Sequence, residues 1–206
     1  MFSPKGQDLV RGWPGKIEGD RVIQLAAQTL QAFFTGGGTA REHAEYPLAE
    51  VDLRAPVLRP PSVRIFDGAD FRFANPAAIH GPGDVVHLPA GVEEIQPVLR
   101  FAAIVGADGA VAGYTLMNDW FAPGLAGAKA HDFAISLGPI VITPPQFEFG
   151  REFGDAVLAR AAANTRLYPG DVIAAGLKVA KDPVRAGESV ELERAPFWPL
   201  RNTVAA

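Results

Sequence analysis

The sequence contains no cysteine among its 206 residues. A disulfide framework, a thiolate metal site and a cysteine nucleophile are therefore all excluded. The chain also lacks a strong charge of either sign, because its formal net charge is -4 and no run of Lys and Arg exceeds a pair. A nucleic-acid phosphate backbone requires a basic stripe, so we expect no nucleic-acid partner.

Long apolar stretches are also missing. Residues 1–16 contain no apolar run of the roughly 7 residues found in a secretory signal, and no segment approaches the roughly 20 apolar residues that span a bilayer. The sequence therefore predicts a cytoplasmic protein without a membrane partner. Hydrophobic residues make up 48% and charged residues 20% of the chain, a balance that is typical of one compact core.

The prolines and glycines, 18 and 22 in number, are spread along the chain as turn signals. Apolar runs of strand length alternate with them from Ser62 onward. The pattern predicts an α+β fold that is mostly β, with strands at 63–66, 84–88, 98–105, 111–116, 135–142, 171–175 and 189–192.

Two segments have apolar residues at helical spacing. The first spans 21–34 and ends before three consecutive glycines at 36–38, and the second spans 152–164. Residues 48–57 predict a strand that leads into Pro60 and Pro61. We place a boundary there, between a small N-terminal helix and strand segment at 1–57 and a larger catalytic-type domain at 58–206.

Several short motifs occur in the order in which the fumarylacetoacetate hydrolase superfamily has them. The chain resembles that superfamily over roughly 62–204, in the motifs Asn75-Pro76 with Gly81-Pro82-Gly83-Asp84, 102–106, Gly113-Tyr114-Thr115-Leu116-Met117-Asn118-Asp119, Lys129-Ala130-His131-Asp132, Leu137-Gly138-Pro139, Pro169-Gly170-Asp171-Val172-Ile173 and Leu200-Arg201-Asn202-Thr203-Val204.

This resemblance implies a mixed β-sandwich roll with a few helices, in a protein that forms a homodimer. It also implies a pocket among strand ends in which carboxylates hold a divalent metal. In such a pocket a hard cation chelates a 2-oxo acid or β-dicarbonyl compound and polarises its carbonyl group. The reactions it implies are hydrolytic C–C cleavage, decarboxylation and tautomerisation.

The metal ligands that the resemblance implies are mostly absent. The family's Glu-x-Glu pair falls on Val98 and Arg100, while its Asp-Phe-Tyr motif falls on 65–67 and the following His near Arg72. Asp119 is the only ligand that survives. We therefore expect no firmly bound metal, with Mg²⁺ or Ca²⁺ as the alternative.

Arg100 has two interpretations. Its guanidinium can occupy the place of the metal, where it would pair with Asp119 and could bind a substrate carboxylate. Alternatively, its side chain extends into solvent and the pocket has no function.

The spacing of Lys129 and Asp132 matches residues that the family uses beside the metal. The resemblance implies that Lys129 binds substrate and that both residues take part in proton transfer. The alternative is a surface lysine. His131, between them, would point to the opposite face of an extended segment, and we interpret it as structural.

Three apolar side chains complete the predicted pocket. Trp120 and Phe121 adjoin Asp119 and are candidate walls, although both also fit the core, while Leu177 replaces a threonine of the family motif. The sequence thus predicts catalytic residues Arg100, Asp119, Lys129 and Asp132, and substrate contacts Arg100, Lys129, Trp120, Phe121 and Leu177.

Two functions remain open. The first is an enzyme that performs enol chemistry on an oxo acid or β-dicarbonyl compound without a firmly bound metal. The second is an inactive family member that acts as a binding module or as a dimer partner. Loss of several ligands favours the second function, and retention of Asp119, Lys129 and Asp132 favours the first.

Overall fold

A computed structural model describes residues 1–7, 9–68, 70–147 and 149–206. The helices are α1 (Leu30–Thr35) and α2 (Phe149–Ala162), with 3-10 turns at Leu48–Glu50, Ala107–Gly109, Gly127–Ala130 and Pro144–Gln146. The strands in chain order are β1 (Phe2–Pro4), β2 (Gly15–Glu18), β3 (Arg21–Leu25), β4 (Glu42–Pro47), β5 (Val51–Leu53), β6 (Val63–Asp67), β7 (Asp70–Ala74), β8 (Ile79–His80), β9 (Val85–His87), β10 (Glu94–Ile95), β11 (Val98–Val105), β12 (Val111–Asp119), β13 (Ile135–Ile142), β14 (Val172–Ala180), β15 (Val184–Arg185), β16 (Ser189–Arg194) and β17 (Phe197–Ala205).

A seven-stranded sheet in the order β7-β6-β14-β11-β12-β13-β8 forms the centre of the fold. It is mixed, since β6 runs parallel to β14 and β8 parallel to β13, while the other pairs are antiparallel. All eight residues of β11 are buried, as expected of a strand that is covered on both faces of its sheet. The fold is thus mostly β, as the sequence predicts.

Different elements cover the two faces of this sheet. On the face that we call the roll face, Phe101, Leu116 and Ile173 belong to one core cluster with residues of α2 and of the three-stranded sheet β16-β17-β9. On the other face, which we call the helix face, Ile104 and Met117 cluster with α1 residues. Strand side chains alternate between the two faces, so the inner strands β6, β14, β11, β12 and β13 contribute to both cores.

The helix predicted at 21–34 is wrong in its first half. Residues 21–25 form β3, which pairs with β2 across a turn where Gly19 has a φ of +60°. The turn and the β-branched Val22 and Ile23 favour a strand, and both of those side chains are buried. The helix begins only at Leu30, after Thr29 accepts a hydrogen bond from the Ala32 backbone N–H.

Other predicted elements agree with the structure. The strands predicted at 98–105 and 135–142 have those bounds, and α2 overlaps the helix predicted at 152–164. The strand predicted at 48–57 is shorter, because a 3-10 turn takes its first three residues and β5 ends at Leu53. Among the described residues no helix is long and apolar enough to cross a membrane.

The N-terminal segment contributes to two clusters. Phe2, Val22 and Val51 form a small cluster of their own, whereas Leu30 and Phe34 of α1 belong to the helix-face core. The division into 1–57 and 58–206 stays a prediction.

Because Leu30 and Ile104 share one cluster, we expect Leu30→Ala and Ile104→Ala to lower the stability of one cooperative unit. Each variant should reduce the free energy of unfolding by about 2 to 5 kcal/mol, measured by urea denaturation with far-UV and tryptophan signals. The control Val10→Ala, at a position that is 82% exposed, should stay within about 0.5 kcal/mol of the parent. A separate early transition in Leu30→Ala would contradict the shared core.

Candidate functional site

Charged side chains from separate elements meet at one end of the helix face. Asp67 ends β6, Arg72 lies on β7, Arg100 lies on β11 and Asp119 ends β12, while His131 follows the 3-10 turn Gly127–Ala130. Their hydrogen bonds and ion pairs join all five. We call this group the Asp119 cluster.

Strand register explains why these side chains share a face. Arg72 is the cross-strand partner of Ile65, and Arg100 is that of Met117. Ile65 and Met117 both belong to the helix-face core. Directly paired residues point to the same side of a sheet, so the two arginines lie on the helix face as well.

Arg100 forms the centre of the cluster. Its Nε donates to Asp119 Oδ2 at 3.0 Å, and its Nη1 donates to Asp67 Oδ1 at 3.0 Å. The Arg100 and Asp119 side chains are only 3% and 1% exposed. The structure therefore contains the interior pair and not the solvent-exposed arginine, and one guanidinium joins two carboxylates.

The second oxygen of Asp119 faces two further groups. Arg72 Nη2 donates to Oδ1, and His131 Nδ1 lies 3.5 Å from the same oxygen. His131 Nδ1 is closer to Arg72 Nη2, at 3.2 Å. The tautomer with its proton on Nδ1 lets His131 donate to the Asp119 carboxylate and leaves Nε2 as an acceptor. Both carboxylate oxygens of Asp119 are thus occupied.

These contacts keep the Asp119 carboxylate charged. Burial by itself would raise the pKa of Asp119, but the hydrogen bond with His131 and the charges of Arg72 and Arg100 outweigh it and hold the pKa below its ordinary value. The pKa of Asp67 is also lowered, since its bonds to Arg100 and Lys178 exceed the opposing effect of burial.

A bulge in β14 brings Lys178 to the cluster. On β11, Leu99 pairs with Val179 and Phe101 pairs with Ala175, so three β14 residues stand opposite Arg100 alone. Gly176 has a φ of +74° there, which a glycine adopts without strain. Bulges of this kind redirect side chains next to functional sites, and Lys178 Nζ donates to Asp67 Oδ2 at 3.2 Å.

The solvent side of the cluster is cationic. Arg72, Arg100 and Lys178 carry three positive charges against the two negative charges of Asp67 and Asp119, which leaves a formal charge of +1. The Arg72 side chain is 30% exposed and that of Lys178 is 56% exposed, against one exposed acid, Asp67, at 48%. The accessible rim therefore suits a small anion.

Solved structures with a similar fold are known. A maleylpyruvate hydrolase from Sphingobium sp. SYK-6 superposes with a TM-score of 0.77 at 22% identity, over 95% of this chain and 96% of that one. A second structure of that enzyme is a complex with manganese(II) ion and pyruvate. A 5-carboxymethyl-2-hydroxymuconate delta-isomerase from Mycobacterium smegmatis superposes with a TM-score of 0.71 at 21% identity, over 94% of each chain.

The chain has the fold of the fumarylacetoacetate hydrolase superfamily. A further structure with this fold, a 2-hydroxyhepta-2,4-diene-1,7-dioate isomerase from Mycobacterium marinum, has a TM-score of 0.72 at 22% identity and covers 94% of this chain and 92% of that one. No protein-family model and no curated protein matches the sequence.

The divalent metal that this fold implies does not fit the residues present. Val98 supplies no ligand atom, Arg100 places a cation between Asp67 and Asp119, and both Asp119 oxygens have other partners. Among the described residues there is no group of three His, Asp or Glu side chains that could hold an ion. Hard cations require several free oxygen ligands, and this donor set does not offer them.

Some predicted site residues have other contacts than those of the cluster. Lys129 is 77% exposed and donates to Asp132 at 2.8 Å on the surface. Trp120 is fully buried in the roll-face core, where its Nε1 donates to Ser136, and Leu177 packs against that same core. Neither Trp120 nor Leu177 therefore lines the Asp119 cluster in this structure.

Phe121 does reach the cluster. Its ring lies 4.9 Å from that of His131, centroid to centroid, with an interplanar angle of 31°. A pocket wall at Phe121, as the sequence predicts, is compatible with this position.

Sequence reasoning missed His131 as a member of the site. The alternation argument assumed an extended segment, but His131 follows a 3-10 turn with a φ of -133° and a ψ of -3°, where strand alternation does not apply. Sequence reasoning also missed Asp67, which lies two residues after Ile65 on the same face of β6 and bonds Arg100. Residues two positions apart in a strand lie on the same face, so the position of Asp67 two residues after Ile65 was the signal that could have identified this acid.

A separate cavity of about 1040 Å³ lies elsewhere, bordered by Leu30, Phe33, Ala112 and Ile140 among others. Ala112 is seven residues before Asp119 on the same strand, which corresponds to roughly 23 Å at ~3.3 Å per residue. This cavity is therefore not the space in front of the Asp119 cluster.

We expect Arg100→Met to lower the free energy of unfolding by about 3 to 5 kcal/mol, because it leaves a buried carboxylate without its interior cation. Adding Asp119→Asn should restore much of that loss, since the uncompensated charge is then removed as well. A double-mutant cycle in urea measures the coupling energy.

The matched control for this cycle is Arg21→Met. Arg21 pairs with Glu45 through side chains that are 55% and 50% exposed, and such pairs contribute only about 0 to 1 kcal/mol. A loss below about 1 kcal/mol for Arg100→Met would contradict the interior pair.

The lowered pKa of Asp119 predicts a pH dependence of stability. A carboxyl group whose pKa is lower in the folded state stabilises the fold above its unfolded pKa of about 3.9. That contribution is lost as the pH falls through the folded pKa. The stability difference between the parent and Asp119→Asn should therefore be largest near neutral pH and shrink below about pH 4. Denaturation at pH 7 and pH 3 measures it, and an unchanged difference would count against the assignment.

Proposed function

We propose that this chain binds a small oxo acid or β-dicarbonyl anion at the exposed side of the Asp119 cluster, without a firmly bound metal. The observation that carries the proposal is the Arg100 guanidinium between Asp67 and Asp119. It supplies a fixed positive charge in the middle of the carboxylates, so the cluster can attract an anion without recruiting a cation from solution.

Arg72 is the residue that would contact the ligand. Its described contacts, to Asp119 and to His131, both use Nη2, which leaves Nε and Nη1 as further donors. Arg100, which the sequence predicts as a substrate contact, is instead almost fully buried against its two carboxylates. We assign it the role of holding Asp67 and Asp119 in place.

Proton transfer between keto and enol forms is the reaction that these groups can support. The His131 side chain is 28% exposed and its Nδ1 lies beside Asp119 and Arg72, so Nε2 is the ring nitrogen that can accept a proton from a ligand. In the step that we propose, the C–H bond next to the carbonyl breaks and its proton goes to His131. The electron pair forms an enolate that Arg72 stabilises, and return of the proton to the oxygen yields the enol.

A second candidate is the inactive family member that acts as a binding module or dimer partner. The resemblance implies that Lys129 lies beside the metal and acts on the substrate. In this structure Lys129 is 77% exposed and pairs with Asp132 at the surface, which favours the inactive member. A homodimer and hydrolytic C–C cleavage or decarboxylation stay predictions.

The test uses pyruvate and its planar analogue oxalate in buffer that contains EDTA. We expect calorimetric binding that EDTA does not change, and about tenfold or more weaker binding by Arg72→Met, because a charged hydrogen bond contributes about 1.5 to 3 kcal/mol. The matched control Arg21→Met should bind as the parent does. A one-to-one site for Mg²⁺, Mn²⁺ or Ca²⁺ tighter than about 10⁻⁴ M would overturn the metal-free site.

Catalysis is measured separately, as loss of the pyruvate methyl proton signal in D₂O. Exchange that the parent accelerates and that His131→Gln abolishes would support the enzyme. Binding by the parent without accelerated exchange would favour the inactive binding module. Absence of binding by the parent would overturn both versions of the proposed site.

A further inference from the structure

Arg64 on β6 is a buried cation for which the described part of the chain offers two of its nitrogens no hydrogen-bonding partner. The residue is 5% exposed, and among the described residues neither its Nε nor its Nη1 has a partner. Buried polar groups are bonded in the great majority of cases, and an exception commonly marks the place of a water or an ion. Nothing in the Asp119 cluster accounts for this side chain.

The position of Arg64 is separate from the Asp119 cluster. Arg64 pairs across β6 and β7 with Phe73, and next to β14 it adjoins Ile173 of the roll-face core. Phe66 of the same core pairs with Phe71. Arg64, Phe71 and Phe73 therefore lie on the roll face, whereas Arg72, between the two phenylalanines in β7, points to the helix face. The seven-stranded sheet thus separates Arg64 from the Asp119 cluster.

A solvent-exposed aromatic surface lies beside Arg64. The Cζ atom of Arg64 is 5.6 Å from the centroid of the Phe73 ring. Phe71 stacks on Phe66 at 5.1 Å and meets Phe73 edge to face at 5.4 Å. Phe73 is 66% exposed and Phe71 is 46% exposed, and β7 is an edge strand of the sheet. Phe73, the ring next to the guanidinium, is therefore largely open to solvent.

We propose that Arg64, Phe71 and Phe73 form a second binding site, for a carboxylic acid with a planar apolar body such as an aromatic acid. The unpartnered guanidinium is complementary to a carboxylate, which two of its nitrogens can bind together. The exposed rings offer faces and edges on which a planar apolar group stacks. Charge and apolar surface lie next to each other, so one small molecule can use both.

Benzoate is the probe, followed by calorimetry and by the thermal midpoint of the full chain. We expect benzoate to bind and to raise the midpoint, and Arg64→Met to weaken binding by about tenfold or more through loss of charged hydrogen bonds. Acetate, which lacks the planar body, and benzyl alcohol, which lacks the charge, should each bind more weakly. Phe73→Leu should weaken benzoate binding and leave acetate binding unchanged.

The matched control is Arg72→Met, which removes the exposed arginine on the helix face and should leave most benzoate binding intact. Loss of benzoate binding in Arg72→Met but not in Arg64→Met would overturn the site. A thermal shift that chloride reproduces at the same concentration would reveal an adventitious ion only, which also overturns it.

The unliganded Arg64→Met variant provides a further check. An apolar side chain of similar length in place of an unpaired buried cation should keep the thermal midpoint at or above that of the parent. A clear fall in the midpoint would mean that an internal partner already satisfies Arg64, and the proposal would be abandoned.

Discussion

The contact between Arg100 and the carboxylates of Asp67 and Asp119 is the interaction on which the site depends. Carboxylates that converge at strand ends repel one another unless a cation lies between them. Here the cation is part of the chain, held at 3.0 Å from each acid. Removing charges from water is costly, and a pair with good hydrogen-bond geometry is the arrangement that compensates for it. The guanidinium therefore decides both the structure and the electrostatics of this end of the sheet.

Because Arg100 and Asp119 are buried against each other, the groups that can contact a ligand are the other members of the site, nearer the surface. Both Asp119 oxygens are bonded and nearly inaccessible, so this acid is an anchor for its neighbours rather than a proton donor. The groups that a ligand can reach include Arg72, His131 and Lys178, which come from an edge strand, the end of a 3-10 turn and a bulge, together with the exposed acid Asp67. Loops and edges of a rigid sheet are where binding residues commonly lie.

Strand β7 contributes to both faces of the sheet because its side chains alternate. Arg72 points to the Asp119 cluster, while Phe71 and Phe73 flank it on the other side, next to the unpartnered Arg64. An exposed aromatic edge strand is a liability for association unless something covers it. The two faces of one short strand thus present different chemistry, one polar and cationic and the other aromatic.

Apolar periodicity and turn residues are properties of neighbouring positions, and they were enough to predict the mostly β architecture and the strands at 98–105 and 135–142. The sequence also raised the pairing of Arg100 with Asp119, without deciding between that pair and a solvent-exposed arginine. The folded arrangement contains the interior pair, with Asp67 bonded to the same arginine and with Arg72 and His131 next to Asp119. Their proximity depends on strand register, on a bulge opposite Arg100 and on a 3-10 turn, and residues that are 47 or 59 positions apart in the chain leave no periodic trace of such contacts.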